Sequence, residues 1–372
     1  MKTIKVLSVF GTRPEAIKVA PVLKELTLHP NKIISKCCVT AQHREMLDQV
    51  LNLFNITPDY DLDLMTLDQS LSSLASLVFE KMLFVIKKEK PDWVLVQGDT
   101  TTVMATSLVA HYNRLKVGHI EAGLRSGDKY QPFPEEINRR VVGVTADLHF
   151  APTEKARENL LKENGPADNI VVTGNSIIDA LQWVVKQPYN LEKSPLKNIP
   201  FEKKIILVTA HRRENFGKPI REICSALKEI AKTFENVHLV YPVHLNPRIY
   251  KPVHEMLDGI YNITLLQPLD YQSLVHLISQ SYMVLTDSGG IQEEVPSFGK
   301  PVLVLRNTTE RREGIEIGTA KLIGTNHERI VAETFRLLND SGAYQSMACA
   351  VNPYGDGHAA ERIVQALLRK IG

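Results

Sequence analysis

Short aliphatic runs alternate with segments of helical spacing from one end of the chain to the other, and no other feature restricts the fold as tightly. Strands are predicted at 4–10, 33–40, 93–97, 117–120 and 148–150, with helices at 16–26, 44–53, 71–88, 101–113, 136–146 and 153–163. Such alternation implies parallel βαβ units with right-handed crossovers, because parallel neighbours need the long connection that a helix supplies. A polar stretch carrying Pro188, Pro195 and Pro200 interrupts the pattern. A second series follows, with strands at 205–209, 237–241, 263–266, 283–286 and 302–305 and helices at 219–234, 247–257 and 271–279. The expectation is an α/β chain of two doubly wound, Rossmann-like domains, 1–187 and 188–372, joined near 187–200. A final helix at about 359–371 is placed to cross back to the first domain. At 372 residues the chain exceeds what one hydrophobic core usually supports, which agrees with two domains.

Composition narrows the function classes. A formal net charge of +2 with dispersed basic residues gives no broad electrostatic surface for nucleic acid, so any anion has to be met locally. Cys37, Cys38, Cys224 and Cys349 form neither a CxxC pair nor a disulfide framework, and Lys2 stands ahead of a strand instead of a long apolar segment. A cytoplasmic protein without membrane spans is expected. No zinc spacing, HExxH, Walker A pattern or GxGxxG after a strand is present, so no metal or cofactor is expected, and hydride or kinase chemistry is disfavoured.

In doubly wound sheets ligands bind beyond the carboxyl ends of the strands, so the turns there are the candidates, expected to face a shared cleft. After the first strand, Gly11-Thr12-Arg13-Pro14-Glu15 offers a guanidinium able to fork onto phosphate, with Lys18 a turn further along; a plain surface ion pair is the competing role for Arg13. Gln97-Gly98-Asp99-Thr100 presents Asp99, which an ordinary helix N-cap would also explain. Glu121 follows a short strand where it has no obvious structural task, and Glu135 opens a helix. Carboxylates gathered in one place raise one another's proton affinity and divide acid and base roles.

In the second half, His211-Arg212-Arg213 leaves a strand, His244 leaves the next, and Arg311 lies in a Thr-Glu-Arg loop. Thr286-Asp287-Ser288-Gly289-Gly290 passes from a buried strand into a helix, so Ser288, Gly289 and Gly290 should offer free N–H groups to a diphosphate.

Taken together, Phe10-Gly11-Thr12-Arg13-Pro14-Glu15-Ala16, Thr40-Ala41-Gln42-His43-Arg44, Gly98-Asp99-Thr100-Thr101, Glu121-Ala122-Gly123-Leu124-Arg125, His211-Arg212-Arg213-Glu214-Asn215, Asp287-Ser288-Gly289-Gly290-Ile291-Gln292-Glu293-Glu294 and Asn352-Pro353-Tyr354-Gly355-Asp356-Gly357 closely resemble the non-hydrolysing UDP-N-acetylglucosamine 2-epimerases. The resemblance spans both halves. It implies the GT-B architecture and interconversion of UDP-N-acetylglucosamine and UDP-N-acetylmannosamine through elimination of UDP to 2-acetamidoglucal and re-addition, without a redox cofactor. It also implies a homodimer and a product destined for bacterial surface polysaccharide.

By the same resemblance Asp99, Glu121 and Glu135 match the catalytic acids, and His211 joins them at the leaving group. Ser288, Gly289 and Gly290 would hold the diphosphate, Glu294 the ribose, and Arg13, Lys18 and Arg311 the remaining nucleotide contacts. Leu274 stands where the family commonly carries a Phe on uracil, which shifts base recognition towards the backbone near Leu269. Gln42, His43 and His244 match a site at which many bacterial members bind a second substrate molecule as activator, although Glu45 and Asp68 replace an amide and an Arg often found there. A GT-B glycosyltransferase is the leading alternative; a hydrolysing epimerase and a nucleotide-sugar-binding regulator are the others.

Overall fold

A computed structural model describes residues 3–41, 44–64 and 69–370. The chain packs as two compact units, Met1–Ala180 with Tyr354–Gly372, and Leu181–Pro353. The division falls within the helix Ser176–Val185, ahead of the expected boundary after Gln187. The polar stretch read as a link packs into the second unit, where Leu196 and Ile199 are buried. Its prolines and charges mask two apolar anchors.

The first unit holds a seven-stranded parallel sheet made of β1 (Ile4–Phe10), β2 (Ile33–Val39), β3 (Tyr60–Asp61), β4 (Trp93–Gln97), β5 (Lys116–Ile120), β6 (Leu148–Ala151) and β7 (Ile170–Val172), in the order β3-β2-β1-β4-β5-β6-β7. The second holds a six-stranded parallel sheet made of β8 (Lys204–Thr209), β9 (Val237–Pro242), β10 (Ile263–Leu266), β11 (Met283–Thr286), β12 (Val302–Val304) and β13 (Ala320–Leu322), in the order β10-β9-β8-β11-β12-β13. The two sheets are doubly wound in the same manner. Strand order reverses between β1 and β4 in one and between β8 and β11 in the other, and those reversals open the crevices in which such sheets take ligands.

Both faces of each sheet are covered, which is why the strands read as continuous apolar runs. In β8, Ile206 and Val208 enter one core with Leu239, Leu285 and Leu303. Their neighbours Ile205 and Leu207 enter the opposite one with Val240, Val284 and Val304. In the first unit, Leu7, Val9, Val94 and Val96 pack against Val78, Met82 and Val103 of the covering helices.

Local signals start the helices. Thr12 and Glu15 form a reciprocal capping box at the helix Arg13–Thr27, with Pro14 in its first turn. The helix Thr101–Tyr112 is capped by Thr100, whose hydroxyl accepts from the Val103 N–H at 3.4 Å, so Asp99 is not spent as a cap. The terminal helix Ala359–Arg369 belongs to the first unit, and its first N–H groups, from Ala359 and Ala360, donate to the Asp179 carboxylate at 3.2 and 2.8 Å. Among the described residues no helix is long and apolar enough to cross a membrane.

Candidate functional site

At the β1/β4 reversal two turns are tied together by a buried carboxylate. Glu15 accepts from the Gly11 and Thr12 N–H groups at 2.9 and 2.7 Å and from the Thr100 hydroxyl at 2.7 Å. Burial pushes its pKa up, against those hydrogen bonds. The tie joins the turn that carries Arg13 to the one that carries Asp99; Arg13 is partly buried and has no ion pair among the described residues. Asp99 meets Arg139, whose Nε and Nη2 lie 2.9 and 2.7 Å from its Oδ2, while Asn138 donates to the Asp99 carbonyl at 2.8 Å. Both partners come from the helix Glu135–Thr145.

Glu121 sits one residue beyond β5, next to β4 in the sheet, with φ +64°. A left-handed backbone at a non-glycine residue is a strained conformation that needs its surroundings to hold it. Its carboxylate accepts from Lys18 Nζ at 2.5 Å, from Asn175 Nδ2 at 3.1 Å and from Gln97 Nε2. The Glu121 side chain is 7 % exposed, so these donors replace the water it has lost. Behind it, His119 Nε2 donates to the Gly98 carbonyl at 2.7 Å. Burial pushes the His119 pKa down to about 3 and that of its register neighbour His149 to about 4, so both imidazoles are neutral.

Glu135 opens its helix one turn before Arg139, and its Oε2 is buried with no hydrogen-bond partner among the described residues. Its neighbour Glu136 is instead consumed locally, accepting from the Ser126 and Gly127 N–H groups at 2.9 and 3.3 Å. Asp99 and Glu121 follow adjacent strands, β4 and β5, at the carboxyl edge of one sheet, each with a cation of its own, and Glu135 begins the helix whose next turn carries Arg139. The expected mutual repulsion gives way to separate pairs, Asp99 with Arg139 and Glu121 with Lys18.

The β8/β11 reversal is tied in the same manner. Asp287, fully buried, accepts from the His211 and Arg212 N–H groups at 2.7 and 2.8 Å and from Asn215 Nδ2 at 2.8 Å, and its Oδ1 lies 3.6 Å from His211 Nδ1. Partial burial lowers the His211 pKa while Asp287 opposes the shift, and the ring stacks on His244 with centroids 5.4 Å apart. Ser288 caps the short helix Gly289–Glu294 with extended backbone, leaving its hydroxyl unused for the cap.

Guanidiniums surround that turn. Arg311 pairs with Glu293 at 2.7 Å, and Glu310 gathers Arg212, Arg306 and Arg311 at 3.3, 2.7 and 3.4 Å. Those cations hold the Glu310 pKa down to about 2 against the effect of burial. A Cβ on Gly289 would meet Glu310 Oε1 at 3.0 Å and Arg212 Nη2 at 3.6 Å, whereas one on Gly290 would meet nothing within 4 Å. Arg212 and Arg311 thus lie beside Gly289 together with Glu310, while the space at Gly290 is open, a set of groups suited to a diphosphate. Glu294 is buried at the end of this helix. Leu269 is a core residue after β10, with Leu274 partly buried against the same cluster.

His244 is exposed, its Nδ1 accepting from the Asn246 N–H at 3.1 Å; Gln42 and His43 lie outside the described residues. Among the described residues no group of His, Cys, Asp and Glu is arranged to hold a metal ion. Sequence reasoning missed the donors to the acids: Gln97, Asn175 and Arg139 are ordinary polar residues in strand, loop and helix. Asp287 was visible in its motif, but not as the knot of the second turn.

Comparisons with known proteins give the chain's family. The family model described as UDP-N-acetylglucosamine 2-epimerase matches residues 25–368. The chain is 55% identical to the UDP-N-acetylglucosamine 2-epimerase of Salmonella typhimurium and 54% identical to that of Escherichia coli K12, covering 98% of this chain and 98% of each relative. Among solved structures it is similar to the UDP-GlcNAc 2-epimerase from Neisseria meningitidis bound to UDP-GlcNAc, with 49% identity, a TM-score of 0.91, and 98% and 100% of the two chains covered. It is also similar to the Methanocaldococcus jannaschii enzyme in complex with UDP-GlcNAc and UDP, with 33% identity, a TM-score of 0.80, and 98% and 100% covered.

Proposed function

We propose, from the premise that this chain belongs to the UDP-N-acetylglucosamine 2-epimerase family, that it interconverts UDP-N-acetylglucosamine and UDP-N-acetylmannosamine by eliminating UDP across C1 and C2 and adding it back. The observation that carries the chemistry is Glu121, a carboxylate on left-handed backbone at a strand's end, held by Lys18, Gln97 and Asn175. A strained acid supported by three donors is a costly arrangement for packing alone, and it suits a group that meets a reacting carbon.

The C2 hydrogen is barely acidic until the C1–O bond to the diphosphate breaks, so departure of UDP leads. That bond's electron pair leaves with UDP, and the oxocarbenium character at C1 acidifies C2–H. A carboxylate takes the proton as the C–H pair forms the C1=C2 double bond of 2-acetamidoglucal. Re-addition returns UDP to C1 and a proton to the other face of C2. In the second unit the Ser288, Gly289 and Gly290 N–H groups with Arg311 stabilise the charge on the diphosphate, His211 assists at the leaving oxygen, and Glu294 takes the ribose hydroxyls. Leu269 and Leu274 border the uracil. In the first unit Asp99, Glu121 and Glu135 carry the proton transfers, with Arg13 and Lys18 adding cationic contacts.

The enzyme acts as a cytoplasmic homodimer supplying surface polysaccharide synthesis, and Gln42, His43 and His244 bind a second substrate molecule as activator. A hyperbolic, lag-free rate curve with UDP-N-acetylmannosamine alone would remove the activator site. The glycosyltransferase reading is not favoured, because family and relatives alike are epimerases. Proton NMR in deuterated water without an acceptor decides the chemistry: solvent deuterium at C2 in both epimers is expected. Unchanged C2 would indicate a transferase, and free N-acetylmannosamine a hydrolysing enzyme.

A further inference from the structure

One motif has no place in the chemistry above: Asn352-Pro353-Tyr354-Gly355-Asp356-Gly357, where the chain re-enters the first unit. Its backbone lies against the turn after β7. The Tyr354 carbonyl accepts from the Asn175 N–H at 2.7 Å. A Cβ on Gly174 would meet the Gly355 Cα at 3.2 Å, and one on Gly355 would meet Asn175 N at 3.3 Å, so only glycines allow this approach. Gly174 also has φ +85° and Gly355 φ +145°. Arg362 of the terminal helix clamps the same turn, donating to the Thr173 carbonyl at 3.0 Å while pairing with Asp356 at 2.6 Å.

The clamped turn aims one side chain. Asn175 is 2 % exposed, and its Oδ1 accepts from the Ile177 N–H at 3.1 Å, which fixes the amide so that Nδ2 donates to Glu121 Oε1 at 3.1 Å. The next residue, Ser176, donates from its hydroxyl to the Lys18 carbonyl at 2.7 Å, so this turn braces both Glu121 and its cation.

We infer that Asn175 is a positioning residue for Glu121, and that the returning segment 354–357 sets its geometry. The inference rests on the epimerase reading. The amide donates to the ionised carboxylate and keeps one oxygen in place. A carboxylate substituted there would be a like charge beside Glu121 and would raise its proton affinity.

The test compares wild type, Asn175→Ala, Asn175→Asp and Gly355→Ala by epimerisation kinetics from pH 5 to 9, with thermal melting of each. Asn175→Ala should lower kcat by about 10- to 100-fold, the loss of one charge-assisted hydrogen bond, with KM within about twofold. Gly355→Ala should lower kcat in the same direction, and Asn175→Asp should move the acidic limb of the kcat profile to higher pH. Unchanged kcat in Asn175→Ala overturns the inference, as does activity lost only in proportion to melting temperature with the acidic limb of Asn175→Asp unmoved. Wild-type protein that exchanges no C2 hydrogen refutes the epimerase reading, and this inference with it, whereas an active wild type with an indifferent Asn175→Ala refutes only the inference.

Discussion

Replacing Asp287 tests whether one buried carboxylate holds the nucleotide end together. It is 0 % exposed and accepts three hydrogen bonds at 2.7, 2.8 and 2.8 Å, from two backbone N–H groups and the buried Asn215 amide. Asp287→Ala strands the two backbone donors and leaves the Asn215 amide only its longer contact with the Leu305 carbonyl at 3.4 Å, each lost bond costing about 1–3 kcal/mol when water cannot reach the donor. The His211 side chain is 41 % exposed, so water relieves part of the backbone loss, and a total of about 3–5 kcal/mol is expected. That is a large share of the roughly 5–15 kcal/mol that holds a domain folded. Asp287→Asn keeps one oxygen able to serve two donors and should cost about 1–2 kcal/mol. Urea unfolding followed by circular dichroism gives the ranking, and calorimetry with UDP should show weaker binding in the same order, because the loosened turn carries His211 and Arg212. An Asp287→Ala protein within 1 kcal/mol of wild type that binds UDP equally well would refute the reasoning.

Glu121→Gln should abolish turnover while leaving UDP affinity nearly intact, since the proposed diphosphate cradle belongs to the other unit; a variant with near-normal kcat defeats the assignment. Gly289→Ala drives a methyl to 3.0 Å from Glu310 and should weaken UDP binding by about 1 kcal/mol or more, whereas Gly290→Ala meets no atom within 4 Å and should fold and melt as wild type does. Equal UDP affinity for Gly289→Ala and wild type would contradict the cradle. His119 and His149 titrate in the fold at about 3 and about 4, below the ordinary histidine value near 6.5. The unfolded chain therefore takes up protons first as pH falls, and stability declines from about pH 6.5 towards 4 and below, by about 1.4 kcal/mol per pH unit for each ring. Urea midpoints of His119→Gln/His149→Gln should fall less steeply over that range, and a slope equal to wild type would count against burial as the cause.

Much of the fold is legible in the linear pattern because local physics dominates it. β1, β4, β10 and β11 begin and end where the apolar runs do, since a parallel strand flanked by helices reads as a run of four to seven mostly apolar residues. The helices Arg13–Thr27 and Gly289–Glu294 start at their Thr and Ser caps. By contrast, β3, β7 and β13 are two or three residues long, too short to show any period, and they exist because a neighbouring strand offers an edge. The helices Ser176–Val185, His327–Asn339 and Ser341–Ala348 were not anticipated, and Leu196 and Ile199 hide core anchors in a stretch that reads as linker.

The positions of the candidate groups are legible in the linear chain, because in a parallel α/β sheet the turn after each strand lies at the carboxyl edge whatever its partners. That places Asp99, Glu121, His211 and Ser288 before any coordinate is known. What each of them faces depends on the folded chain. Lys18 reaches Glu121 across 103 positions and Asn175 across 54, Arg139 reaches Asp99 across 40, and Asp287 reaches His211 across 76. Pairings at such separations are set by strand order and crossover, to which helical and strand periodicity carry no information.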